Sequence, residues 1–229
     1  LLAGAAAALL TVKPQFGVLL PIAYLVAGCR RAFFTAAIGA VLLAFAATAA
    51  FGADIWSAFL GGISGAGDNL AAAKMPLYKM ATPFAAARFA GLPFEAAALV
   101  AGLFAALAVS LVALVWRRVT DEALRASALI ALVFLAAPYG FYYELVLLAA
   151  PLALIVERAL RQGWLPGEQA SVAIIFLLTM FLPQTQARWG VSLGLVVVLG
   201  AAAIVFRRVA AETPALFRFS SATSPARSG

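Results

Sequence analysis

Two short polar interruptions between apolar stretches hold the residues that could do chemistry. The first is Lys13-Pro14-Gln15, and the second runs from Pro138 to Glu144. Because proline lacks a backbone N–H and disfavours helix at the preceding residue, we expect one helix to end near Val12 and another to begin with Pro14. The free N–H groups and positive dipole of the second helix, together with the Lys13 ammonium, predict a phosphate site. A lysine that merely reaches water beside a kink is the alternative interpretation.

The second interruption is rich in hydrogen-bonding side chains. It holds three of the five tyrosines, Tyr139, Tyr142 and Tyr143, and ends at the carboxylate of Glu144. The flanking apolar segments are short, so we expect this loop to lie below a membrane surface, against protein or a water-filled cavity. An ionisable residue at that depth is a functional candidate. An interfacial aromatic belt, with Glu144 facing water, is the alternative.

A carboxylate withdrawn from bulk water needs a compensating group or access to water. We expect Lys13 or Arg188 to lie near enough to Glu144 to interact. We also expect Glu144 to line the same cavity as Tyr142 or Tyr143.

The composition is that of a membrane protein. Of 229 residues, 66% are hydrophobic and 11% are charged, whereas a globular domain is roughly 45–50% apolar and about 25% charged. The mean hydropathy is +1.06. The net charge of +7 comes from arginines at the ends of apolar stretches, so we expect a lipid bilayer and no nucleic acid as a partner. With one cysteine, Cys29, and no histidine, the usual zinc and haem sites are excluded within this chain, and we expect no metal and no cofactor.

Clusters of arginine predict the topology, because short arginine-rich loops stay in the cytoplasm. The clusters are Arg30-Arg31, Arg117-Arg118 with Arg125, Arg158 with Arg161, Arg207-Arg208, and Arg218 with Arg227 in the tail. We expect an all-α, polytopic membrane helix bundle with about eight membrane segments. These segments are 1–12, 16–29, 32–53, 94–116, 126–138, 145–156, 170–183 and 190–206. Alternation places 53–93, 139–144 and 184–189 outside the cell and the C-terminus inside.

The domain organisation follows from the same pattern. Residues 1–206 form a single transmembrane domain that includes the extracytoplasmic loop 53–93, and 207–229 form a cytoplasmic tail that we expect to be disordered. The chain opens within an apolar run and without methionine, so we expect it to be the C-terminal part of a longer protein. Abundant alanine and arginine suggest a bacterium, and therefore its inner membrane.

The loop 53–93 carries its own helix signals. Trp56, Phe59, Leu60 and Ile63 recur at helical spacing and predict a short interfacial helix. The glycines from Gly61 to Gly67 predict a flexible turn region after it. A second short helix, carrying Arg88, is predicted by Thr82-Pro83 at its start and Gly91 after its end. Lys74 and Lys79, between the two, could hold an anionic lipid head group.

Three stretches in this order resemble the motifs of polytopic glycosyltransferases with the GT-C fold. They are Leu9 to Gln15 followed by an apolar helix and Arg30-Arg31, Tyr78 to Phe84 with Gly91, and Pro138-Tyr139 with Tyr142 to Leu145. The chain looks closest to glycosyltransferase family 87, the polyprenyl-phosphate-mannose-dependent alpha-mannosyltransferases. It departs from the family at Tyr143-Glu144, where the family usually has Tyr-Asp.

The resemblance implies an inverting hexosyltransferase that moves a sugar, expected to be mannose, from a polyprenyl-phosphate donor to a glycan or glycolipid acceptor. Lys13 would neutralise the departing phosphate. The substrate-binding residues would be Lys13, Gln15, Tyr139, Tyr142, Tyr143, Glu144, Lys79 and Arg88. The catalytic general base would be an aspartate in a first outer loop, which we expect to lie outside this chain.

Two other functions remain open from the residues alone. A multipass transporter also uses broken helices and buried charge, although no repeat of Lys-Pro-Gln or Tyr-Tyr-Glu marks duplicated halves. A non-catalytic membrane scaffold is favoured only by the expected absence of the base.

Overall fold

The computed structural model describes residues 1–71, 74, 76–189 and 192–214, and this part of the chain is helical, with one isolated β-bridge and no strands. The α-helices are α1 (Leu2–Ala8), α2 (Pro14–Gly17), α3 (Leu20–Val26), α4 (Arg30–Phe51), α5 (Ile55–Ala71), α6 (Pro83–Phe89), α7 (Phe94–Arg118), α8 (Glu122–Ala136), α9 (Ala149–Gln162), α10 (Glu168–Trp189) and α11 (Gly194–Glu212). Single 3₁₀ segments cover Leu9–Val12, Leu77–Lys79 and Tyr142–Leu148. The predicted all-α class is confirmed. The predicted tail beyond residue 214 lies outside the described residues.

Three of the described helices are long and apolar enough to cross a bilayer: Arg30–Phe51, Phe94–Arg118 and Gly194–Glu212. Shorter apolar stretches cover Leu2–Val12, Pro14–Val26, Ile55–Gly65 and Glu168–Leu182. A straight crossing needs about 20 residues. The eight expected membrane segments therefore correspond to three full-length candidates and several shorter helices.

The core lies between α7, α8 and α11, with α3 and α9 packed around them. Leu132 and Phe134 of α8, Val112 of α7 and Val205 of α11 are almost fully buried there. The α4 helix instead packs on α1 through small residues, since a Cβ at Gly39 would lie 2.6 Å from the Cβ of Ala8. Close contact through small residues is typical of membrane helix pairs.

Local signals predicted several helix ends correctly. The α2 helix begins at Pro14. Thr82 caps α6 by accepting a hydrogen bond from the Ala85 N–H at 3.4 Å, Pro83 is the first helical residue, and Gly91 follows at φ +90°. Pro14 and Pro83 lie in the first turn of a helix, where the missing N–H costs nothing, and Gly91 adopts the positive φ that ends α6.

Within the predicted segment 16–29, Pro21 removes one helical hydrogen bond, and α2 and α3 meet at Val18 and Leu19. Two other sequence-based boundaries are wrong. The glycines from Gly61 to Gly67 lie within α5, not in a turn. Glycine's low helix propensity is a weak preference that the apolar helical spacing of this segment overrides. The expected outer loop 184–189 instead belongs to α10, because its residues contain neither glycine nor proline and continue the helix to Trp189.

Ion pairs, one of them buried, join four helices at the end of the bundle where α8 begins and α9 and α11 end. Arg158 of α9 contacts Asp121 at 2.9 Å and Glu212 at 2.6 Å. Arg208 of α11 pairs with Glu168 of α10, whose Oε1 accepts from Arg208 Nε at 2.9 Å. Since Arg208 and Glu168 are only 3% and 2% exposed, this pair is enclosed by protein.

Asp121 also begins α8, because its carboxylate accepts the Leu124 N–H at 2.9 Å. Burial tends to raise the pKa of the Asp121 carboxyl, but the hydrogen bonds from Leu124 and Arg158 outweigh burial and lower the pKa. The stabilising contribution is therefore present above the carboxyl's unfolded pKa and is lost only as the pH falls through the lowered folded value.

Arg208→Ala should lower the free energy of unfolding by about 3–5 kcal/mol, because it leaves the buried Glu168 carboxylate uncompensated. The matched control is Arg161→Ala. Arg161 makes an i,i+4 pair with Glu157 in which both side chains are largely exposed, so its loss should cost less than about 1 kcal/mol. Thermal unfolding of both variants in detergent measures the difference, and equal losses would contradict the buried pairing.

Candidate functional site

The two polar interruptions meet in a single ion pair. Lys13 Nζ lies 2.7 Å from Glu144 Oε1, and the two side chains are 52% and 6% exposed. The contact joins residues 131 positions apart in the chain. The predicted pairing of Glu144 with Lys13 is thereby confirmed, and Arg188, the other expected partner, has an exposed side chain at the end of α10.

The backbone before Glu144 holds its other carboxylate oxygen. Phe141 N–H donates to Glu144 Oε2 at 2.8 Å, and Glu144 N–H donates to the Phe141 carbonyl at 2.9 Å. The Glu144 side chain thus makes the glutamate half of a capping box at the start of the 3₁₀ segment Tyr142–Leu148, while a backbone turn bond replaces the side-chain bond that Phe141 cannot make. Each oxygen of the buried carboxylate therefore has a hydrogen-bond donor, which compensates its removal from water.

Lys13 is a fixed cation. The hydrogen bond to Glu144 and then the charge of Glu144 raise the pKa of the Lys13 amine above its usual value. Lys13 therefore stays protonated at physiological pH and cannot exchange protons as a general acid or base would. Its ammonium carries three N–H donors and uses one on Glu144, while half of the side chain remains open to the surroundings.

The chain that follows Lys13 is helical. The α2 turn, Pro14–Gly17, is joined to α3 by Val18 and Leu19, whose backbone angles are also helical, so Pro14–Val26 is one short apolar helix with a weak point before Pro21. It begins at Pro14, as predicted. The contribution of this helix N-terminus to a phosphate site stays a prediction, beside the charge of the lysine itself.

Aromatic rings surround the Lys13 ammonium. Its Nζ lies 5.9 Å from the centre of the Phe16 ring and 6.0 Å from that of Tyr143, distances at which a cation is attracted by an aromatic face. Tyr143 is 60% exposed and stacks on Phe141 with ring centres 5.5 Å apart. Tyr142 packs partly against the core and meets Tyr143 edge-on.

Four further predicted residues lie at different distances from this pair. Tyr139 is half-buried and near enough to Lys13 to affect its titration. Gln15 is half-buried in the same turn as Lys13. Lys79 lies over the ring of Tyr78 at 5.5 Å. Arg88 donates to the Leu92 carbonyl at 2.9 Å, so its guanidinium stabilises the turn after α6.

A backbone contact that the sequence did not suggest connects the segment between α5 and α6 to the site. Met80 and Phe141 form an antiparallel bridge, and the Ala81 N–H donates to the Gly140 carbonyl at 2.8 Å. Phe141 is also the residue whose N–H holds Glu144. Pro138 and Gly140 were the only local signals that this stretch would be extended and not helical.

An apolar cavity of about 680 Å³ lies below the pair. Phe16, which contacts the Lys13 ammonium, is one of its walls, and Trp116 lies at the other end of the bundle. Its other lining residues are Ala3, Ala6, Ala7, Leu10, Leu20, Tyr24, Ala126, Leu129, Ile130, Val133, Val146, Leu147 and Ala150. The expectation that Glu144 lines a cavity with Tyr142 or Tyr143 is not met here, because the walls are almost entirely apolar and exclude all three.

The fold and the pair can be compared with known proteins. The family model described as Glycosyltransferase family 87 matches residues 1–138, more than half of the chain. That range includes Lys13 and ends at the start of the second polar interruption, so Glu144 lies just beyond it. No curated protein and no solved structure matches the chain. Helices able to cross a membrane and the family match agree with the resemblance of the motifs, and the chain belongs to glycosyltransferase family 87.

Proposed function

We propose that this chain forms the donor-binding part of an inverting mannosyltransferase that uses a polyprenyl-phosphate sugar. The acceptor is a hydroxyl of a glycan or glycolipid at the extracytoplasmic face, and the bundle is GT-C-like, with about eight membrane segments. The observation that carries the proposal is the half-exposed Lys13 ammonium, held by a buried carboxylate at one end of an apolar cavity.

The cavity suits the hydrocarbon part of such a donor. Ligand pockets are usually about 300–1,000 Å³ and mostly apolar, and this one measures about 680 Å³. Phe16 lies between the apolar cavity and the Lys13 ammonium. Its side chain lines the cavity, and its ring centre is 5.9 Å from Lys13 Nζ. A polyprenyl chain in the cavity would place its phosphate beside Lys13.

The chemistry assigned to Lys13 is charge stabilisation. The acceptor oxygen attacks the anomeric carbon, the bond from that carbon to the phosphate oxygen breaks, and the polyprenyl phosphate leaves with the bonding electrons. The acceptor proton passes to a carboxylate base that we expect in the preceding part of the full-length protein. Negative charge grows on the phosphate as the bond breaks, and a fixed cation beside it lowers the barrier.

Glu144 acts through Lys13 in this proposal. The ion pair is neutral overall, so Glu144 does not help to attract a phosphate and, by its charge, opposes binding. Its two hydrogen bonds fix the ammonium in one place before the substrate arrives. Preorganised charge is more effective in catalysis than mobile charge, because nothing must reorganise during the reaction.

The acceptor side of the site is assigned to the aromatic residues. Tyr143 offers an exposed ring and hydroxyl next to Lys13, while Tyr139 and Tyr142 lie in the same loop. Gln15, Lys79 and Arg88 remain proposed substrate contacts, with Arg88 needing to release its bond to Leu92.

The distribution of arginine between the two ends of the bundle supports an extracytoplasmic position for the Lys13 pair. The α11 helix begins beside Ala81, near the Lys13 pair, and ends at the ion pairs of Arg208. At about 1.5 Å per residue, Gly194 and Arg208 are about 21 Å apart. Arginine therefore collects at the end opposite Lys13, and we assign that end to the cytoplasm of a bacterial inner membrane.

Substitutions in the Lys13–Glu144 pair should affect stability and turnover differently. In the full-length enzyme, Lys13→Gln should lower kcat about 10²-fold by removing the charge beside the phosphate, and it should also destabilise the protein because Glu144 stays buried without its main partner. Lys13→Gln combined with Glu144→Gln should restore much of the melting temperature without restoring turnover. Wild-type turnover in the Lys13→Gln enzyme would refute the assignment.

Glu144→Gln alone should produce a different pattern. Because it removes a negative charge near the phosphate, the KM for the donor should stay constant or fall, while kcat falls as Lys13 loses its fixed position. Steady-state kinetics over a range of donor concentrations measures both values. A raised donor KM with unchanged kcat would instead assign Glu144 to direct substrate binding.

Filling the cavity should affect long donors selectively. Ala150→Phe places a ring at the cavity wall and should raise the KM for a long polyprenyl donor at least tenfold, with little effect on a short-chain, water-soluble donor. Ala149→Phe is the matched control, since Ala149 is an exposed neighbour that does not line this cavity. Equal effects of both variants on both donors would argue against a hydrocarbon chain in the cavity.

The proposed orientation can be tested by labelling. In a Cys29-free background, a cysteine at Ser64 of α5 should react with a membrane-impermeant thiol reagent in intact cells. A cysteine at the exposed Gln162, at the end of α9, should react only after the membrane is opened. The reverse pattern would place the Lys13 end in the cytoplasm.

A further inference from the structure

A close backbone contact lies behind the loop that holds Glu144. Gly194, the buried first residue of α11, faces the backbone of Met80 and Ala81. A Cβ added at Gly194 would lie 2.8 Å from the Ala81 Cα and 3.1 Å from the Met80 carbonyl oxygen. These atoms are backbone, so an added methyl group cannot be accommodated by rotating a side chain and the segment itself must move.

The segment that would move is the one bonded to the site. Met80, Ala81 and Thr82 are all fully buried, and the Ala81 N–H is bonded to the Gly140 carbonyl at 2.8 Å. The next residue, Phe141, donates its N–H to Glu144 Oε2. Glu144 in turn holds Lys13. A displacement at Ala81 is therefore passed to the ammonium through three hydrogen bonds and one peptide unit.

Gly140 has little room to move. A Cβ there would lie 3.0 Å from a ring carbon of Phe134, which is fully buried in the core, and 3.5 Å from Cγ2 of the buried Thr82. Gly140 is thus packed against the core ring and against the 80–82 segment, to which it is also hydrogen-bonded. Packed interiors transmit strain because they contain little free space.

We propose that Gly194 is a positioning residue for Lys13, acting through Ala81, the 138–141 stretch and Glu144. This inference deepens the proposed function, since it concerns the same ammonium. It also assigns a role in the site to the start of α11, which lies outside the residues matched by the family model. Only glycine leaves room there for α11 to approach the Met80–Ala81 backbone.

The amine reactivity of Lys13 tests the proposal without any assumption about the reaction catalysed. An acylating reagent attacks the neutral amine, and pairing with Glu144 keeps Lys13 charged. In the full-length protein near pH 9, Glu144→Gln and Gly194→Ala should both speed acylation of Lys13 at least threefold by an N-hydroxysuccinimide ester. Mass spectrometry measures the rate, and the exposed Lys74 serves as the internal reference.

Gly200→Ala is the matched control. Gly200 lies on the same helix, about 9 Å further along, and an added Cβ there meets the terminal methyl group of Ile175, a flexible side-chain end. This variant should lower stability without changing the Lys13 acylation rate. A wild-type acylation rate in Gly194→Ala, or equal acceleration in Gly200→Ala, would overturn the proposal.

A double-mutant cycle extends the test to turnover by folded enzyme. Gly194→Ala should lower kcat about tenfold or more in the wild-type background, because small displacements of catalytic charge are costly, and should add little in the Glu144→Gln background. A full additional loss in that background would show that Gly194 affects turnover independently of Glu144 and would overturn the positioning role. If Lys13→Gln and Glu144→Gln both leave kcat unchanged, the proposed function fails, while the acylation rates still decide the positioning role.

Discussion

The site depends on one constraint, the withdrawal of the Glu144 carboxylate from water. A buried charge without compensation costs several kcal/mol, so the chain must bring donors to both oxygens. Lys13 supplies one and the Phe141 N–H supplies the other. To satisfy them, the first polar interruption must meet the second, and the backbone before Glu144 must leave the helical conformation. The break at Lys13-Pro14 and the extended stretch before Tyr142 both serve this single requirement.

A second set of charges, at the other end of the bundle, holds helix ends together. Arg158 and Arg208 pair with carboxylates from neighbouring helices, and Arg208 is almost fully enclosed while Arg158 is partly buried. These pairs join the ends of α8, α9, α10 and α11, so the helices cannot slide independently. The arginines from which we predict the topology and those that hold helices together are thus partly the same residues. At the Lys13 end the ammonium remains half open, which is what distinguishes a site from a structural pair.

The sequence predicted the parts of this arrangement that depend on local backbone chemistry. Proline and a capping threonine determine where α2 and α6 begin, and a carboxylate in a short loop demanded a cation. Glycine misled the prediction in α5, because its low helix propensity is a weak preference that the apolar helical spacing of the same segment overrides. Neither the bridge between Met80 and Phe141 nor the approach of Gly194 to Ala81 could be predicted, since both depend on how distant segments pack.

The departure from the family's usual Tyr-Asp can be understood from the same geometry. Glutamate at the third position of a capping box reaches back to the N–H of the cap residue, and Glu144 does so at Phe141 while its second oxygen extends to Lys13. An aspartate carboxylate sits one methylene closer to the backbone and spans a shorter distance. With aspartate here, one of the two contacts would have to lengthen unless the Lys13 turn moved inward. The extra methylene of glutamate therefore explains why Lys13 can be half exposed. With the longer side chain, the Glu144 carboxylate remains buried while the Lys13 ammonium lies farther from the 3₁₀ segment.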